Sequence, residues 1–431
     1  SGTHTFSNTT TSITSLSAAT GAIGTSLTIN GGGFDTTPGN NTVKFGNVEA
    51  TVTEASATSL TVTVPEMTAG TYNVTVSVGG STNGGTNNFG VQPSVTGLSG
   101  SSGVVGSSVT ISGIGFDPTL TTNNTVKFGT TTATVTFASS TSLTVTVPAT
   151  GNSKNVSVTV GGQTSTDTAT YEVIPTISNL SSFTGFVGNT ITVTGTGFDT
   201  SAMANNVVKF GNTTATVTGV TSTTLTVSVA GIAGPQNVTV TVGNHTSTET
   251  FTYTIKLTVG SFSPTSGNIG TTTVTVNGTG FDYLTPSNNS VLFRLSSAGS
   301  GGTPATVTSA SPNQLKVTVP DNIFSAQKIF VTVGGQNANT STNFNVKPFI
   351  ESLSPSSGNT GNSITITGTG FDPTSTTFNT VRFVGNGTTI TVTAVTNTTV
   401  TFTVPSVAAG NYNVTVQTGS QTSASSPFTH N

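Results

Sequence analysis

The phrase "GTGFD" stands at 195–199, 278–282 and 368–372, with "GIGFD" at 113–117 and "GGGFD" at 31–35. The five starts lie 82, 82, 83 and 90 residues apart. A fixed period of this size marks a repeated structural unit. The fold question therefore reduces to the fold of one unit. In "NTITVTGTGFD" (189–199), Ile191, Val193, Gly195 and Gly197 share one face of a strand, while Phe198 falls with the threonines. A phenylalanine belongs in a core, so a bulge or bend at the second glycine is expected to turn it back inward. Asp199 then turns the chain through an Asx-type bond. A phosphate cradle would need a helix N-terminus next, and no segment has helical period.

Outward from the phrase the alternation is strict. "SLTVTVP" occurs at 59–65 and 142–148, "TLTVSVA" at 224–230, "YNVTVSVGG" at 72–80 and "KNVSVTVGG" at 154–162. Period-2 runs of this kind are half-buried strands, with Leu60, Val62 and Val64 on one side and Thr61 and Thr63 on the other. Gly-Gly at 79–80, 161–162 and 334–335 marks hairpin turns. Pro65, Pro148, Pro320 and Pro405 end strands by removing a ladder donor. An aromatic closes each of the first four units, at Phe89, Tyr171, Tyr253 and Phe344. About seven short strands per unit predict an antiparallel sandwich. The fold class is all-β: five tandem immunoglobulin-like β-sandwiches forming a rod, with an extra N-terminal strand.

Composition agrees. Charged residues are 5% of the 431 and the net charge is −3. The chain is rich in Thr, Val and Ile, which are strand formers. With no cysteine, core burial and docking of units must hold the fold. No apolar run approaches 18 residues, so no membrane span is expected. The absence of an initial Met implies a mature form whose signal peptide has been removed.

The same residues carry a family resemblance. "PFIESLSPSSGNTGNSITITGTGFD" (348–372), followed by "FNTVRFV" (378–384), resembles the IPT/TIG immunoglobulin-like domain, and the likeness recurs five times. It implies the sandwich fold. It leaves function open, because the family serves in surface receptors, bacterial exoproteins, starch-active enzymes and Rel-type transcription factors.

The expected organisation is an N-terminal extension (1–10), unit 1 (11–92), unit 2 (93–174), unit 3 (175–256), unit 4 (257–347, with a loop insertion at 294–307) and unit 5 (348–431). Pro93, Pro175 and Pro348 stand where one unit runs into the next without a Gly/Ser linker, which predicts stiff joints. The ends differ from the rest. "THTFSNTTTSITSLS" (3–17) matches "TNNFGVQPSVTGLS" (86–99), so Phe6 takes the place of a closing aromatic with no unit before it. "SSPFTHN" gives unit 5 a short closing strand. Thr5, Phe6 and Ser7 are thus a candidate donor strand. Phe428 and His430 mark a weakly finished acceptor, and head-to-tail strand addition between copies is expected. Such a contact does not close and builds a filament.

Catalytic chemistry finds no residues. His4, His245 and His430 are the only histidines and form no metal spacing or triad. Asp35, Asp117, Asp199, Asp282 and Asp372, each followed by one or two asparagines, are candidate calcium ligands. One carboxylate per site is thin for calcium, and Asx turns explain the pattern, so no cofactor is assigned. Ten Lys and Arg over the whole chain cannot neutralise a phosphate backbone. Asn73, Asn155, Asn237 and Asn413 are candidate glycosylation sites at one recurring strand position. The function expected is a non-enzymatic subunit of an extracellular or cell-surface filament whose partners are its own copies. The alternative is an adhesin stalk or carbohydrate-binding array that meets surface glycans. A binder should expose aromatics for sugar stacking in a unit unlike its neighbours, and the insertion and Tyr283 make unit 4 the candidate.

Overall fold

A computed structural model describes residues 10–167, 169–295, 301–385 and 387–431. Each unit is two packed sheets. In unit 3 the first sheet runs Thr176–Leu180, Thr190–Thr196, Thr224–Ser228, Thr216–Val220 in spatial order. The second runs Thr184–Phe186, Phe251–Lys256, Gly234–Val242, Asn206–Phe210, Thr213–Thr214, with His245–Thr246 folded back on Gly234–Val242. Register follows the alternation: Ile191 lies opposite Val227 and Val193 opposite Leu225, all buried, while their threonine neighbours are half-buried or, at Thr190, exposed. In unit 2 the two sheets are continuous, because Thr131–Ala138 pairs with Asn124–Phe128 at one end and Ser142–Thr146 at the other. Units 1, 4 and 5 repeat the plan of unit 3.

Five separate cores result. Each closing aromatic meets the phenylalanine of the "VKF"-type strand: Tyr253 stands edge-on to Phe210 at 5.3 Å and Phe89 to Phe45 at 5.5 Å. Such pairs add to plain area burial. The closing strand lies between a parallel and an antiparallel neighbour, as Phe251–Lys256 does between Thr184–Phe186 and Gly234–Val242.

The expectation of a weakly finished unit 5 is corrected. Ser426–His430 pairs over its full length with Gly410–Val414 and also with Ser357–Gly358. Phe428 is buried and stacked on Phe383, 5.5 Å away. His430 is buried, its Nε2 within 3.2 Å of the Thr360 hydroxyl and its Nδ1 3.1 Å from the Ala408 carbonyl. The shorter spacing from the preceding hairpin is taken up before the strand, and both residues serve unit 5 itself. Thr5, Phe6 and Ser7 lie outside the described residues. In the unit 4 insertion, Thr303–Ala305 pairs with Ser290–Leu295, so that part of the loop is strand.

Successive units are joined by one or two residues: Gln92 to Ser94, Ile174 to Thr176, Lys256 to Thr258, Val346 to Phe349. Pro93, Pro175 and Pro348 are buried at three of these points, and Leu257 enters the core of unit 4 at the remaining one.

Candidate functional site

The repeated phrase is a built turn. At its first glycine there is no room for a side chain. A Cβ on Gly195 would stand 1.9 Å from the Thr176 carbonyl oxygen and 2.8 Å from the ring of Phe198. The same two obstacles meet Gly31, Gly113, Gly278 and Gly368. The second glycine of the phrase, Gly197, has φ 75°, a left-handed conformation open to glycine. It reverses the side-chain phase and drives Phe198 into the core, as the alternation required. Asp199 follows, and its Oδ1 accepts from the Ser201 N–H at 2.9 Å. Asn206 clasps the turn from beyond a short 3-10 segment: its Oδ1 accepts from the Asp199 N–H and its Nδ2 donates to the Asp199 carbonyl, at 2.9 and 2.8 Å. The clasp recurs through Asn41, Asn124, Asn289 and Asn379. Because Asn206 is buried, Asn206→Ala leaves two backbone groups unpaired. Unit 3 is expected to lose about 2 kcal/mol or more, read as a lower unfolding midpoint by calorimetry.

These turns lie at the joints. The loop after the "LTVTV" strand of one unit inserts against the turn of the next. The Ala69 N–H donates to the Gly115 carbonyl and the Ala233 N–H to the Gly280 carbonyl, each at 2.8 Å. Ala69 thereby joins the core of unit 2, and Ala233 that of unit 4. Asn152 Nδ2 reaches Asp199 Oδ2 at 3.1 Å, and Ser325 Oγ donates to Asp372 Oδ2 at 3.0 Å. Asn152 and Ser325 both sit at positive φ, 67° and 57°. That conformation is costly for residues other than glycine, and here it aims each side chain at the next unit's aspartate.

At the first three joints the hairpin of the following unit closes over the inserted loop. A Cβ on Gly161 would be 2.8 Å from the Ala69 oxygen, and one on Gly334 only 2.1 Å from the Ala233 oxygen. Loop and hairpin match in kind. Ala69-Gly70 and Ala233-Gly234 meet Gly161 and Gly334, the first glycines of Gly-Gly hairpins, backbone on backbone. Gly151-Asn152 meets Gly243-Asn244, where a Cβ on Gly243 would be 2.6 Å from Asn152 Oδ1. Phe324-Ser325 precedes a unit whose hairpin is Gly419-Ser420. This last joint holds a cleft lined by Ile269, Ile323, Phe324, Gly370 and Phe371. The joint between units 2 and 3 also holds a contact of His245 with Glu172.

The aspartates are engaged by donors rather than grouped with other carboxylates. At Asp35 the backbone N–H of Thr37, then the amide of Asn40, hold the carboxyl below its ordinary 3.8. At Asp117 the Thr119 hydroxyl and N–H do so. At Asp199 burial pushes upward, but the Ser201 hydroxyl and N–H with the Asn152 and Asn205 amides outweigh it and the carboxyl lies low. A depressed carboxyl contributes stability that is present above the unfolded value and is lost as pH falls through the folded one. Thermal midpoints are therefore expected to stay level from neutrality to about pH 4 and to drop below it, with the joint between units 2 and 3 loosening as Asp199 is protonated. Midpoints falling already between pH 7 and 5 would contradict this.

Asn73, Asn155, Asn237 and Asn413 lie in strands beside the closing strand, three of them exposed and Asn73 half-buried. The Asn73 Oδ1 accepts from the Asn87 N–H at 2.6 Å. Tyr283 is half-buried. The exposed aromatic cluster is in unit 3, not unit 4: Phe183 is 51% exposed and Phe186 40%. The ring of Phe251 stacks on Phe183 at 6.5 Å, and Lys256 lies over Phe186 at 5.7 Å. Units 1 and 2 place Ala19, Ala22, Ser101 and Val104 at the positions of the first two. Residue-by-residue comparison of the repeats would have found this difference; the insertion drew the reading to unit 4. Among the described residues no helix is long and apolar enough to cross a membrane.

A family model described as IPT/TIG domain matches residues 11–91, 93–173, 175–255, 257–346 and 348–430. A search of curated proteins found no match. Among solved structures, one determined with a xylogluco-oligosaccharide is 17% identical over 60% of this chain and 60% of that one, with a TM-score of 0.26. A surface glycan-binding protein of Prevotella bryantii is 16% identical over 39% of this chain and 42% of that one, at 0.26. The Escherichia coli adhesin FdeC is 16% identical over 57% of this chain and 96% of that one, at 0.17. The chain spans less than two thirds of the length of the first two.

Proposed function

Because the chain belongs to the IPT/TIG domain family along nearly its whole length, we propose that it is a non-enzymatic structural subunit of an extracellular or cell-surface filament, exported with loss of a signal peptide, in which copies add head to tail. The observation that carries this reading is the joint. Every unit offers a loop at one end and a turn at the other, and each of the four joints has direct contacts of one with the other. A heterologous contact of that kind propagates without closing. Joints of one or two residues make the array a stiff spacer instead of beads on a string. Charged residues are only 5% of the chain, so few contacts rest on ion pairs and changes of salt disturb them little.

Strand addition by residues 1–10 is one route to assembly. The closing slot of unit 5 is filled by its own Ser426–His430, so a donor strand would need another edge. Electron microscopy of the full chain beside one lacking residues 1–10 tests the role. Long fibres from the full chain are expected; isolated rods at every concentration would overturn the filament reading.

A second reading is favoured by the unit 3 aromatics. Phe183 and Phe186 are exposed on a sheet edge, with the half-buried Phe251 stacked on Phe183, the kind of surface on which a sugar ring stacks. On this reading the array presents unit 3 to surface glycans. Loss of glycan-array binding in Phe183→Ser/Phe186→Ser would support it, and unchanged or absent binding by the native chain would not.

A further inference from the structure

The four internal joints identify two surfaces that have no partner unit among the described residues. One is the loop of unit 5, residues 405–410. The other is the turn Gly33-Phe34-Asp35 of unit 1 with its hairpin Gly79-Gly80. We infer that these two surfaces bind each other between copies of this chain, loop 405–410 of one copy seated in unit 1 of the next. The inference rests on the head-to-tail reading and names the surfaces that carry it.

Burial gives the first argument. Ala69 and Ala233 are 3% and 2% exposed at their joints. Ala408, Ala409 and Gly410, at the same place in unit 5, are all exposed. On the receiving side, Gly115, Gly197, Gly280 and Gly370 are buried, whereas Gly33 is half-exposed. A Cβ on Gly79 would meet nothing within 4 Å, as at Gly419 of the open fourth joint, while one on Gly161 or Gly334 would collide with the inserted loop.

The loop of unit 5 is also already shaped for insertion. The Tyr412 hydroxyl donates to the Ala408 carbonyl at 2.7 Å, as the Tyr72 hydroxyl does to the Thr68 carbonyl at 2.7 Å in the loop that enters unit 2. Little ordering is left to be done on binding.

Matching gives the third argument. Within the chain, the Ala-Gly loops of units 1 and 3 sit on the first glycine of a Gly-Gly hairpin, while the Gly-Asn loop of unit 2 sits on the first residue of a Gly-Asn hairpin. Unit 5 offers Ala409-Gly410, and Gly79-Gly80 of unit 1 is the complementary hairpin. The units 2 and 4 between them follow the other pairings. Among the five units, the last loop therefore fits the first hairpin by the rule that the internal joints obey, and a second copy supplies it.

Ala409→Glu tests this in the full chain. The side chain is exposed in the isolated molecule, so unit 5 should keep its thermal midpoint. At the interface the carboxylate would be buried beside Asp35. Association measured by sedimentation velocity and electron microscopy is expected to weaken about a hundredfold. The absence of native cysteine permits a second measurement. A Cβ on Gly115 would lie 3.6 Å from that of Ala69, within disulfide reach. Ala409→Cys combined with Gly33→Cys should then give a ladder of linked chains on oxidation, with Ala69→Cys/Gly115→Cys closing internally as the reference. Assembly of Ala409→Glu like the unaltered chain overturns the inference, and the filament reading survives through residues 1–10 if their removal abolishes fibres. A missing ladder beside a closed reference pair also overturns it. Single rods from the unaltered chain together with a ladder would keep the docking surfaces and sink the filament reading.

Discussion

Phe198→Ala is expected to cost unit 3 about 3–5 kcal/mol and to make unit 3 the first part of the chain to unfold. Phe198 is among the largest fully buried side chains, and it reaches the core only because Gly197 reverses the backbone. Truncation removes a ring from a core shared with Val193, Phe210, Leu225 and Val240. The sheets on either side are fixed by their ladders and cannot collapse into the space, so the cavity cost adds to the lost burial. Domain stabilities of about 5–15 kcal/mol leave little after such a loss. The five cores are separate, so calorimetry should resolve one early transition and limited proteolysis should cut between about 176 and 256 first. A uniform shift of all transitions would show instead that the joints fuse the units into one cooperative block.

The second large effect is expected from the smallest change. Gly195→Ala adds one methyl, yet its Cβ would stand 1.9 Å from the Thr176 carbonyl oxygen and 2.8 Å from the Phe198 ring. Gly195 lies in a regular strand, where removing a glycine ordinarily stabilises by restricting the unfolded chain. Here the first strand must move off its neighbour or the ring must leave its slot, and overpacking against backbone costs about 3 kcal/mol or more. Gly39→Ala is the matching control, because a Cβ there meets nothing within 4 Å and φ is not positive. It should be neutral or stabilise by up to about 1 kcal/mol. Urea unfolding of the two variants separates them by sign. Equal midpoints would mean that the strand pair yields freely.

These two positions show what could be read in advance. Alternation placed Ile191, Val193, Leu225 and Val227 inward, and the one aromatic out of phase demanded a bend. Both inferences need only local information: a period and a residue too apolar for water. The Asx bond at Asp199 was readable for the same reason. Its second role was not. Nothing in "GTGFD" says that Asp199 Oδ2 will face Asn152, 47 residues earlier in the chain. Three of the loops, "EMTAG", "AGIAG" and "SVAAG", end in Ala-Gly, but "ATGN" and "DNIFS" do not, so no single phrase marks the set. In units 2, 3 and 4 the loop shape is set by a left-handed residue, Asn152, Gly234 or Ser325. A joint made largely of main-chain contacts leaves little trace in residue type. The end of the chain misled for a related reason. One residue fewer before Phe428 reads as a failing strand, yet the loop absorbs the difference and the ladder with Gly410–Val414 is complete.

The joint has a consequence for how such a chain changes over generations. Each repeat carries an inserting loop and a receiving turn within a single length of 82 to 90 residues. Duplicating or deleting one whole repeat therefore restores both halves of a joint at the cut, and no core is left open. Recombination between repeats can lengthen or shorten the molecule in whole steps while keeping it folded. The pairing of Ala-Gly with Gly-Gly and of Gly-Asn with Gly-Asn adds a constraint on order. Some neighbours are therefore duplicated more readily as a pair than singly: a duplication of units 2 and 3 together preserves every match, whereas a duplication of unit 2 alone sets the loop Gly151-Asn152 against the hairpin Gly161-Gly162. The sequence of joints is a record of which rearrangements the fold can accept.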